Sequence, residues 1–128
     1  MEKLKTKINN FLNRIHKFIY GWAKLDCYDI DTWFINTFTP MLNYYKKIII
    51  DSAICPIGVK NHNEWIEILE RMQFHLYMMT DKNIYEKKNK ELSQYNDAEK
   101  RDMVFSIKER NKKHFFELLE KHFFDLWY

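Results

Sequence analysis

The run Asn61-His-Asn-Glu-Trp-Ile-Glu-Ile-Leu-Glu-Arg-Met72 limits what this chain can become more than any other stretch. Asn61 and Glu64 have capping-box spacing, although Asn rather than Ser or Thr holds the cap position. Trp65, Ile68, Leu69, Met72, Leu76 and Met79 then recur at three- and four-residue steps, which is one face of a helix. Asp29-Ile-Asp-Thr-Trp33 again places capping side chains just ahead of a tryptophan and an apolar run, and Phe123-Phe-Asp-Leu-Trp127 puts a tryptophan at the far end. No stretch alternates with the period of two that a strand needs.

The same period marks the other elements. Leu4, Ile8, Phe11, Ile15, Phe18 and Trp22, widened by Leu12 and Ile19, predict a first helix over about residues 2–20, with Gly21 where a C-terminal cap falls. Asp29 or Asp31 can cap a second helix from about Thr32 to Ile50. Pro40 lies inside it, so a kink at Phe38–Pro40 or two shorter helices are expected, with Thr37 and Thr39 available to the freed carbonyls. Residues 51–60 read as a loop around Pro56 and Gly58. The end of the third helix, Phe74-His-Leu-Tyr-Met-Met79, is apolar almost all round, which suits a central helix or one whose second face meets another subunit or a ligand. Residues 80–96 read as a partly helical, exposed connection. A final helix from Asp97 to about Leu126 turns Val104, Ile107, Asn111, Phe115, Leu118, Leu119 and His122 inward. The expected fold is all-α: a single helical domain over 1–128, built as a compact, mostly antiparallel four-helix bundle with a Pro-kinked second helix.

At 128 residues the chain can form one real core. Apolar residues at 46% and charged residues at 30% are those of a globular chain. Aromatics reach 17%, yet Phe, Tyr, Met, Ile, Asn and Lys all use AT-rich codons, so codon bias and core packing account for that share without a stacking surface. The formal charge of +3 is unevenly placed. Residues 1–24 hold Lys3, Lys5, Lys7, Arg14, Lys17 and Lys24 against Glu2 alone, a net of about +5. Such a helix can meet phosphate, a membrane surface or an acidic partner, or simply present a solvated face. Phe11–Tyr20 is interrupted by Asn13, Arg14, His16 and Lys17, so neither a signal peptide nor a membrane span is expected. Cys27 and Cys55 lack paired spacing, which makes a reduced cytoplasm the expected compartment.

Chemistry is sparse. The chain has no HExxH, no P-loop and no GxSxG, and two glycines offer little for a phosphate-cradling backbone nest. Five scattered histidines (16, 62, 75, 114 and 122) do not show the spacing of a metal site. Glu67, Arg71 and His75 follow one another at four-residue steps along a helix edge, where an ion pair can orient the guanidinium beside an imidazole. That edge can read an anionic ligand or can be a surface salt bridge beside a satisfied histidine. Basic residues interleaved with aromatics, as at Tyr44-Tyr45-Lys46-Lys47, are too few for long duplex DNA.

The order Gly21-Trp22, Asp31-Thr-Trp33, Pro40-Met-Leu42, Glu64-Trp65, Ile68-Leu69, Met72, Phe115, Leu119, Phe123 and Leu126-Trp127 resembles a widespread family of small uncharacterised phage proteins. The likeness covers roughly residues 20–79 and 112–127. It departs at Phe115-Phe116, where the family often has Gly-Leu, and at His75, where a small residue is usual. The resemblance implies phage origin and an accessory role in the host cytoplasm, and it supplies no catalytic residues. With it, the leading expectation is a non-enzymatic counter-defence factor that sequesters a small anionic, nucleotide-like signal without cofactor or metal. Trp33, Arg71, His75 and Tyr77 are its expected ligand contacts, and a homodimer is expected from the apolar end of helix three. The other expectations are a module that binds and inhibits a host or phage protein, and a weak nucleic-acid accessory protein. No membrane partner is expected.

Overall fold

Glycine at position 21 takes φ 81°, the left-handed conformation that side chains disfavour, and its N–H closes the first helix on the Lys17 carbonyl at 2.8 Å. That helix, α1, spans Glu2–Tyr20 in a computed structural model that describes every residue from Met1 to Tyr128. A short 3₁₀ turn over Lys24–Tyr28 follows, and α2 runs over Ile30–Asp51. Then come α3 (His62–Tyr77), α4 (Asp81–Leu92) and α5 (Asp97–His122), the last continuing into a 3₁₀ turn at Phe123–Asp125. The chain is all-helical with five helices rather than four. Its contacts divide it into two compact units, residues 1–37 and 38–128.

In the first unit the chain doubles back after Gly21. His16 Nδ1 lies 2.6 Å from the Trp22 carbonyl, and its ring touches Tyr20 and Trp22. The Asp26 carboxylate accepts the Ala23 N–H at 2.7 Å and holds the 3₁₀ turn. The Asp29 carbonyl accepts the Trp33 N–H, and its carboxylate accepts the Thr32 hydroxyl, so α2 begins two residues before Thr32. No residue of α1 is buried.

In the second unit, α3 is the central element. The Asn61 side chain accepts the Glu64 N–H at 2.8 Å, while the Glu64 carboxylate reaches past the cap to the Lys60 N–H. This is a capping box displaced by one residue. Trp65, Ile68, Leu69, Met72 and Leu76 are buried, as their spacing predicts. Trp65 meets His122 and His75 meets Asn111, so α3 and α5 run in opposite directions. Ile49 lies against His62 and Asn43 against Gln73, so the second half of α2 is antiparallel to α3 as well.

One expectation needs correction, the number of helices. The segment 80–96 is partly helical and largely exposed, but it forms a helix of its own: Thr80 caps α4, whose Ile84 and Leu92 are buried with Met78 and Val104 against Met103 and Ile107. Asp81 pairs with Lys108 at 2.9 Å, which places α4 on the first half of α5 while α3 occupies the second half. So α3 and α4 lie end to end along one 26-residue helix. The periodicity was diluted by the charges on α4's outer face. Pro40 lies inside one continuous α2, so of the two outcomes expected at Phe38–Pro40 the pair of shorter helices does not form. The proline removes one backbone hydrogen bond, at the Asn36 carbonyl, and neither Thr37 nor Thr39 replaces it.

Candidate functional site

Of the four expected ligand contacts, Trp33 lies in the first unit and Arg71, His75 and Tyr77 lie along α3 in the second. Trp33 belongs to the first unit, half-buried in the first turn of α2, with its indole N–H buried and unbonded. Arg71 is exposed and no carboxylate lies within ion-pair distance, so the expected Glu67–Arg71 pair is absent. A shallow depression there is bordered by Glu67, Glu70, Arg71 and Phe74, and its two carboxylates oppose an anionic ligand. Tyr77 is exposed at the end of α3 and donates weakly to Glu86 at 3.5 Å.

His75 turns inward, toward α5. Asn111 Nδ2 donates to the Ile107 carbonyl at 2.8 Å, which leaves Oδ1 facing His75. Nδ1 of His75 therefore carries the hydrogen and donates to Oδ1 at 2.8 Å. The His114 ring lies 5.1 Å away, centre to centre. These two histidines gather no third ligand, and no group of three His, Cys, Asp or Glu side chains able to hold a metal forms anywhere in the chain. Cys27 and Cys55 are free thiols.

A different site emerges at the other end of the second unit. One face of α2 from Phe38 to Ile48 and the tail Leu126–Tyr128 enclose an open groove of about 520 Å³. Met41, Leu42, Tyr44 and Tyr45 complete its wall, and its lining holds no charged side chain. The volume is that of a small-ligand pocket. Met41, Tyr44 and Trp127 are more than half exposed, so the groove opens broadly to solvent.

Tyr45 holds this groove together. Its hydroxyl donates to the Trp127 carbonyl at 2.7 Å and fastens the tail to α2. Burial pushes that hydroxyl above its ordinary value of 10.0, and the nearby Asp125 carboxylate pushes it further. The Trp65 indole lies toward the phenol oxygen and draws the value partly back, without reaching hydrogen-bonding geometry. Asp125 also accepts from or pairs with buried His122 at 2.9 Å, and the His122 ring rests on Trp65. The tail is thus tied to the core through Tyr45 and through His122.

The sequence contained a signal for this groove. Phe38, Met41, Leu42, Tyr45 and Ile48 repeat at three- and four-residue steps straight through Pro40. The chain matches no protein-family model, no curated protein and no solved structure.

Proposed function

We propose that this chain is a non-enzymatic interaction module whose aromatic groove seats an apolar segment of a protein partner. The observation that carries this reading is the groove's lining: aromatic and aliphatic throughout, with no cation to receive a phosphate. Trp, Tyr and Met are the residues by which protein interfaces make their strongest contacts. The face from Phe38 to Ile48 extends for about 15 Å, long enough to accompany nearly three turns of a partner helix. A host or phage protein is the partner class that the motif resemblance suggests.

Sequestration of a nucleotide-like signal has less support. It requires cations converging on an anion, and Arg71 is the only permanent cation among its four expected contacts.

The test is native mass spectrometry of the protein mixed with an extract of defence-activated bacterial cells. A bound protein is expected, and Met41→Glu should abolish it without changing the melting temperature. Trp127→Ala should weaken the complex about thirtyfold, equivalent to about 2 kcal/mol. A gain of only a few hundred daltons, retained by Met41→Glu and lost in Arg71→Ala, overturns this reading in favour of a small anionic ligand.

A further inference from the structure

Helix α1 has a feature that the groove does not explain. Successive residues of an α-helix are rotated by about 100°. On that wheel Leu4, Ile8, Phe11, Leu12, Ile15 and Phe18 share an arc of about 120°, with no charged residue inside it. All six are exposed, Phe18 at 91%, Phe11 and Leu4 at 61% each. Lys3, Lys7 and Arg14 follow one edge of the arc and Lys5 borders the other. Glu2 is the only acid on the helix. Leu25 and Tyr28 of the following turn border a groove shared with Leu12, Ile15 and Ile19, which widens the apolar surface.

We propose that α1 lies in the plane of an anionic lipid surface, its apolar arc sunk to the headgroup–acyl boundary and its flanking cations at the phosphates. Two physical arguments select this occupant. A broad, phenylalanine-bearing arc with cations on both edges suits an interface between headgroups and hydrocarbon, where long basic side chains bury their stems and keep their charges in water. A second copy of α1 is a poor alternative. Pairing two arcs brings Lys5 of one against Lys3, Lys5 or Lys7 of the other, with one glutamate per copy to offset them. Anionic headgroups supply the missing negative charge instead. No helix here is long and apolar enough to cross a membrane, so the association is confined to one leaflet's surface.

The test is co-sedimentation of the full chain with phosphatidylcholine vesicles, with and without phosphatidylserine. Binding at least about tenfold tighter to the anionic vesicles is expected, weakening as salt is raised. Phe18→Asp and the double variant Lys3→Glu/Lys7→Glu should each lower binding about tenfold or more. Both alter only exposed side chains, and an unchanged circular dichroism spectrum confirms that the fold is intact. Three results overturn the proposal. One is equal binding to both vesicle types, and another is anionic binding that Phe18→Asp leaves untouched, which is adhesion without insertion. The third is no vesicle binding together with a concentration-dependent dimer, by sedimentation, that Phe18→Asp disrupts; that result assigns the arc to a second copy.

Discussion

Trp65 is fully buried, and its ring is packed between the core and His122. Truncating it to alanine is expected to cost about 3–5 kcal/mol, read as a lowered denaturation midpoint. That is a large share of the stability of a domain this size. His75 contributes differently. Replacing it with leucine leaves Asn111 Oδ1 buried and unpaired, which should cost about 1–3 kcal/mol although the change adds apolar surface. Tyr45 couples the groove to pH. Because its folded-state value is raised, the neutral phenol is favoured in the native state. That contribution is complete below the ordinary value of 10.0 and is lost as pH rises above it through the folded value. Stability measured from pH 8 upward should therefore fall in the alkaline range, and Tyr45→Phe should make that fall shallower. The same variant releases the Trp127 carbonyl and should weaken any partner held in the groove.

Among the elements, caps decided the boundaries. Asn61→Ala removes the side-chain acceptor at the start of α3 and should cost about 1 kcal/mol, measurable by chemical denaturation. Glycine at 21, asparagine at 61 and the apolar spacing of α1, α3 and α5 make those helices legible in the sequence. Where the reading failed, competing signals explain it. Twelve residues of α4 carry only Ile84 and Leu92 inward, too few to declare a period beside seven charged neighbours. Pro40 left a kink and a break both open because its cost is obvious from sequence, whereas the burial of Leu42 and Ile49 on the same helix and the contact of Phe38 with Phe115 are not. The surroundings of His75 were illegible for a related reason. Helical spacing puts Arg71 and His75 on one edge, but only the position of α5 determines that His75 spends its hydrogen bond on Asn111.

At the scale of the molecule, burial is unequal between the two units. The largest fully buried side chains, from Trp65 to Leu92 and Phe115, all belong to residues 38–128, and α1 has none. Amide hydrogen exchange should therefore be fast throughout α1, through local fraying, and slowest in the middle of α3 and α5. In the second unit α5 lies against two shorter helices in line, and its inward residues are apolar apart from Asn111 and His122. Apolar surfaces alone discriminate poorly between alignments: a slide of one helical turn, about 5.4 Å, again sets apolar against apolar. His75 and Asn111 break that degeneracy. Slid by a turn, Asn111 faces Met72 or Met79 and loses its partner, while the imidazole loses its acceptor. One polar pair near the middle of the helix thus serves as a vernier mark, selecting a single alignment from a ladder of near-equivalents that hydrophobic burial cannot tell apart.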